Sequence, residues 1–135
     1  MSASDTFSAL LGPWSGSGSY KLEDGSSEKL RCNAYYTGGA KQLGIVVRCS
    51  GETNKIEVRS KLAASGNALS GNWEERTYNA EGTVSGRQTG NHISLAVSGA
   101  ISGTMDIAFD GGHQTVSIAL QGSPLKNVSV SLSRR

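Results

Sequence analysis

Residues 30–49 read LRCNAYYTGGAKQLGIVVRC, two alternating runs joined through a Gly38-Gly39 turn. Leu30, Cys32, Ala34 and Tyr36 share one face of the first run, and Leu43, Ile45, Val47 and Cys49 share one face of the second. Alternation with period two marks half-buried strands, because successive side chains leave opposite faces of the pleat. Glycine tolerates the positive φ that a tight reversal needs. A hairpin centred between Ala40 and Lys41 sets Tyr36 opposite Ile45, Ala34 opposite Val47 and Cys32 opposite Cys49. Direct cross-strand neighbours have Cα atoms ~4.5–5.5 Å apart, within disulfide reach. Two readings are open: a Cys32–Cys49 disulfide, which the register favours, or two buried thiols acting as small hydrophobes. The bridge implies an oxidising compartment, periplasmic or secreted; the thiols imply the cytoplasm.

The same pattern runs outward in both directions. It predicts strands at 14–22, 28–37, 42–50, 54–63, 67–77, 79–88, 91–98, 101–109, 113–121 and 127–133. Ile56, Val58, Leu62, Leu69, Gly71, Trp73, Ile93, Leu95, Val97, Ile101, Met105, Ile107, Phe109, Val116, Ile118, Leu120, Val128, Val130 and Leu132 continue the inward face. Arg31, Glu57, Arg59, Lys61, Ser94, Asp106, Ser117 and Ser129 lie on the other, as a solvated outside requires. Turns such as Ser65-Gly66-Asn67, Thr89-Gly90-Asn91 and Asp110-Gly111-Gly112 are short, so neighbouring strands should pair in sequence order. Ahead of them, Phe7, Leu10 and Leu11 have near-helical spacing, with Ser4 or Asp5 as a cap and Pro13 as a stop. The expected fold is all-β: a single closed antiparallel up-and-down barrel of about ten strands with a short N-terminal helical turn, since closure removes exposed edges. One domain is expected over 1–135, with an N-terminal segment at 1–11 and the barrel at 12–135.

Composition narrows the function. The 13 basic and 11 acidic residues are interleaved, as in Lys55-Ile56-Glu57-Val58-Arg59, so no basic stripe offers itself to nucleic acid. Apolar runs such as Gly44–Val47 fall far short of the ~20 residues of a membrane helix, so no membrane span is expected. Met1-Ser2-Ala3-Ser4-Asp5 has neither the basic head nor the apolar core of a secretory leader. Export would mean that the natural leader has been removed.

The opening Leu10-Leu11-Gly12-Pro13-Trp14-Ser15-Gly16-Ser17-Gly18 resembles the start of calycin-type barrels. Lipocalins and avidins open with Gly-x-Trp, and nitrobindin-like haem barrels with Leu-x-Gly-x-Trp-x-Gly-x-Gly. The resemblance implies that Trp14 packs near the barrel base against a basic residue at the end of the last strand, here Arg134 or Arg135. It also suggests one of the small bacterial barrels of this type. Haem does not carry over, because neither His92 nor His113 falls in the last predicted strand, where nitrobindins carry their haem-ligating histidine.

Inward positions at Gly16, Gly18, Ala34, Gly71 and Gly103 are small. Either they leave room for a ligand, or they let closely coiling strands approach. For a cavity, the candidate lining residues are Trp14, Trp73, Glu75, Tyr78 and Met105. Glu74 and Glu75 are adjacent on a strand and point to opposite faces, so they form no acid/base dyad. Glu75, if inward, needs a donor such as Tyr78 or an arginine, and serves either as a ligand anchor or in a structural network. His92 and His113 sit beside turns on polar phases, and Gly16-Ser17-Gly18-Ser19 lacks the strand–turn–helix setting of a nucleophile elbow. No catalytic residue, metal site or cofactor is expected. The function that follows is non-enzymatic binding of a small apolar ligand inside the barrel. The alternative is a protein-interaction module, such as a periplasmic enzyme inhibitor, working through a loop or the segment before Trp14.

Overall fold

The computed structural model describes residues 5–39, 41–77, 79–122 and 125–135. One helical turn, α1 (Asp5–Ser8), precedes β1 (Gly12–Leu22), β2 (Ser27–Gly38), β3 (Gln42–Ser50), β4 (Lys55–Ser65) and β5 (Ala68–Glu75). After these come β6 (Ala80–Thr89), β7 (His92–Gly99), β8 (Ser102–Phe109), β9 (His113–Gln121) and β10 (Leu125–Arg134). Each strand pairs antiparallel with its sequence neighbour, and β1 pairs with β10 to close the barrel. The strand ends differ from the predicted ones by a residue or two. The hairpin register is the expected one, with Tyr36 opposite Ile45, Ala34 opposite Val47 and Cys32 opposite Cys49. The two cysteines form a disulfide with Cα atoms 4.1 Å apart, and no described cysteine is free.

The glycines are explained by strand approach. A Cβ on Gly16 would lie 1.9 Å from the Ser131 carbonyl oxygen, and one on Gly71 1.8 Å from that of Lys61. Any side chain there would force neighbouring strands apart, so these positions permit tight coiling rather than making room.

At the end where β1 begins, the chain plugs its own barrel. Phe7, Leu10 and Trp14 are fully buried there. Indole Nε1–H of Trp14 donates to the Leu10 carbonyl at 2.7 Å. Across the closing seam, the Arg134 guanidinium stands 4.5 Å from the Trp14 ring centroid, a cation–π distance. Arg134 also donates to the carbonyls of Leu11 at 2.6 Å, Gly111 at 3.1 Å and Ala9. Of the two terminal arginines, Arg134 is therefore the one that covers the tryptophan, because it lies opposite Trp14 in the β1–β10 register. It satisfies carbonyls that no strand reaches.

Above the plug, side chains fill the lower half of the barrel. Tyr36, Leu43, Leu62, Leu69, Ile93, Ile107, Phe109 and Leu132 are all buried. Tyr36 Oη–H donates to Gln114 Oε1 at 2.7 Å across the strands between β2 and β9, and burial pushes the phenol pKa far above its ordinary value. Two polar residues in this packed layer went unmarked in the sequence reading: Gln88 and Gln114 are buried, and neither Nε2 has a partner among the described residues. An orphan buried amide costs about 1–3 kcal/mol. Gln88→Leu should therefore raise stability by about 1 kcal/mol, read as a higher urea midpoint at unchanged slope. A lower midpoint would mean that the amide is satisfied in solution.

Candidate functional site

The two ends of the barrel differ, and the difference makes the site. In a closed sheet an inward side chain is flanked by neighbouring strands, so exposure reaches it only through the interior. Toward the end opposite the plug, inward residues of β4, β7, β8 and β9 are half-buried: Val58, Val97, Met105, Ile118 and Leu120. All five were expected on the inward face, Met105 also as a lining residue. Val97, Met105 and Ile118 pack against the buried core from this end while keeping part of their surface exposed.

Part of the upper end is closed. Asn54 Nδ2–H donates to the Tyr20 hydroxyl at 2.7 Å, and Tyr20 is itself buried. The Glu28 carboxylate accepts from the Thr53 N–H and hydroxyl, both at 2.8 Å. The Thr53 N–H is the main cause holding the Glu28 carboxyl below its usual range, whereas burial raises the Tyr20 phenol. This network ties the β3–β4 turn to β1 and β2. Tyr20 could have been found in sequence, as it shares the phase of Trp14, Gly16 and Gly18.

The predicted lining residues divide between the two ends. Trp73 and Glu75 lie on one face of β5 toward the open end, and Met105 lies on β8. Trp73 Nε1–H donates to the Ser98 carbonyl at 3.1 Å, which holds the indole to the β7 wall. Glu75 is the only buried charged side chain among the described residues, at 9% exposure. Its Oε2 accepts the Glu57 N–H at 2.7 Å. Trp14 sits instead in the plug, and Tyr78 lies outside the described residues.

The ion pairs among the described residues lie on the outer surface. The His92 Nε2 and Asp106 Oδ1 atoms are 3.3 Å apart and about half-exposed, and His113 approaches Asp110 at 3.8 Å. Glu57 collects Arg48 and Arg59 at 3.1 Å each and Arg76 at 3.7 Å, with the Arg48 hydrogen bond foremost in lowering its carboxyl. Among the described residues, no group of three His, Cys, Asp or Glu could hold a metal ion, and no helix is long and apolar enough to cross a membrane.

The architecture has solved counterparts. The chain resembles the crystal structure of Rv2717c from M. tuberculosis at 16% identity and a TM-score of 0.75, over 98% of this chain and 97% of that one. It also resembles the S-type phycobiliprotein lyase CPES from Guillardia theta at 15% identity and a TM-score of 0.63, over 100% and 93% of the two chains. Both share with this chain a closed ten-stranded antiparallel barrel. No family model and no curated protein matches the chain. At such identities the likeness concerns the fold alone.

Proposed function

We propose that this barrel is a non-enzymatic binding protein that takes a small, largely apolar molecule into its upper half. One observation carries the reading: inward apolar side chains on β4 and β7–β9 are half-buried while those below them are packed. Apolar surface held open to water gains about 25 cal/mol for each Å² that a ligand covers. Calycin-like neighbours support a binding role through their fold. The disulfide supports an oxidising compartment, where such bridges persist. The interaction-module alternative loses one of its surfaces, because Phe7 and Leu10 of the leading segment are committed to the plug.

Calorimetric titration with 1-naphthylmethanol, a neutral bicyclic probe, tests the reading. A ligand covering about 200 Å² of apolar wall gains about 5 kcal/mol, which corresponds to a Kd on the order of 0.1 mM. Met105→Trp, which adds bulk to the upper half of the barrel, should weaken binding about tenfold, roughly 1.4 kcal/mol, while leaving the fold intact. Absence of binding to the wild-type protein would remove the proposal.

A further inference from the structure

We propose that the outer wall over β2–β4 is a docking strip for an anionic polysaccharide. The pleat assembles it. On β4, Lys55, Glu57, Arg59 and Lys61 alternate with inward residues and so share the outer face, although in sequence they form no basic stripe. Lys29 and Arg31 on β2 and Arg48 on β3 stand on the same face of the neighbouring strands. Register makes the cluster continuous: Arg31 faces Ser50 and through it Lys55, Arg48 faces Glu57, and Arg59 faces Val46. Six basic side chains thus stand against one acidic one, in a chain whose net charge is only +2. By contrast, Asp106 is the one Asp, Glu, Lys or Arg facing outward on β7–β9, where serine, threonine and alanine prevail.

Local acids leave the strip positive. Arg48 and Arg59 share Glu57 with Arg76, which also approaches Glu74 at 3.6 Å, so three guanidinium groups meet two carboxylates. Lys29, Arg31, Lys55 and Lys61 have no carboxylate within ion-pair distance among the described residues. Glu28 is engaged by Thr53, while Glu23, Asp24 and Glu52 stand in the turns beyond the upper tip, and Glu74 with Glu81 bounds the strip on the β5–β6 side. Tyr35 lies among the cations. It is the one large hydrophobic side chain exposed among the described residues, at 51%, with Pro13 and Val46 beside it in register and Arg48 on the diagonal. An exposed ring covers the apolar face of a sugar, and guanidinium groups grip its carboxylates or sulfates in bidentate pairs.

Shape narrows the partner further. Three strands about 4.8 Å apart give a strip about 10 Å wide on a convex wall, which a flexible chain can follow while a flat bilayer or folded partner touches only its crest. An acidic peptide cannot add as a strand, because the closed barrel leaves no free edge. A nucleic acid strand would find one exposed ring, where such sites stack successive bases. The Cys32–Cys49 bridge also fits an oxidising compartment, away from most nucleic acid.

Calorimetric titration with a heparin octasaccharide, maltooctaose, octathymidylate and an octaglutamate peptide tests this. At about 50 mM salt the heparin octasaccharide should bind about tenfold tighter than any of the others, and raising salt to about 200 mM should weaken it about tenfold. Arg31→Gln and Lys61→Gln should each weaken it about threefold, whereas Arg87→Gln on the outer face of β6 should leave it unchanged. Tyr35→Ala should weaken it about fivefold at both salt concentrations, since contact with the ring is not screened. Failure of the heparin octasaccharide to bind, or equal binding of maltooctaose, overturns the proposal. Tighter binding of octathymidylate or octaglutamate gives the strip to another class of partner and overturns it as well. Equal losses from Arg31→Gln, Lys61→Gln and Arg87→Gln would mean a response to net charge, and an unchanged Tyr35→Ala would remove the sugar-covering ring; either result overturns it. None of these outcomes bears on the interior site, which the naphthylmethanol titration tests separately.

Discussion

Trp14→Ala should destabilise the protein by about 3–5 kcal/mol, the usual range for deleting a buried tryptophan. Three losses coincide at this residue. The indole is fully buried, so its removal leaves a cavity beneath the packed layer. Its Nε1–H bond to the Leu10 carbonyl disappears, which frees the segment carrying Phe7 and Leu10. Arg134 loses the ring it covers while it still holds the carbonyls of Leu11 and Gly111. The plug should therefore loosen before the barrel wall does. Urea unfolding would show a lowered midpoint, and hydrogen exchange would show early loss of protection at Leu10, whose N–H bonds to the Phe7 carbonyl. A loss below about 1 kcal/mol, within the range of ordinary surface changes, would mean that Trp14 does not hold the plug.

Removing the disulfide should cost about 2–4 kcal/mol. Cys32 and Cys49 are both buried and inward, 17 residues apart in sequence, and the bridge restricts the unfolded chain over that loop. Chain-entropy reasoning for a loop of this length gives about 3 kcal/mol. Paired Cys32→Ala and Cys49→Ala substitutions should lower the urea midpoint by that amount while preserving the barrel, since the β2–β3 ladder continues on both sides of the bridge. Thiol titration in denaturant without reductant should find no reactive group. Two reactive thiols would exclude the bridge and withdraw the argument for an oxidising compartment.

Strand existence and hairpin register could be read from residues because both are local. Tyr36, Ala34 and Cys32 alternate on the same phase as Ile45, Val47 and Cys49, and a short turn leaves few ways to pair them. Gln88 and Gln114 were legible in principle, since each continues an apolar phase, Gln88 after Val84 and Gln114 before Val116. Composition hid them: a polar residue near a strand end reads as solvated until the layer that covers it is known. The glycines were ambiguous for a related reason. Whether Gly16 leaves space or admits Ser131 depends on a strand more than a hundred residues away.

The amino-acid sequence alone determined the all-β class, the order of ten strands, the inward phase of nearly every one, and the opposition of Cys32 and Cys49. All of these follow from period-two alternation and turn chemistry between sequence neighbours. Closure of β1 on β10 follows the expected up-and-down barrel, and only the tertiary structure decided that Arg134 rather than Arg135 covers Trp14, and that Trp14 belongs to the plug while Trp73, Glu75 and Met105 lie toward the opposite end. Alternation assigns a side chain to a face but says nothing about its height within a closed barrel or what fills the space opposite. Those depend on closure and on where the N-terminal segment docks, which are contacts between parts of the chain far apart in sequence.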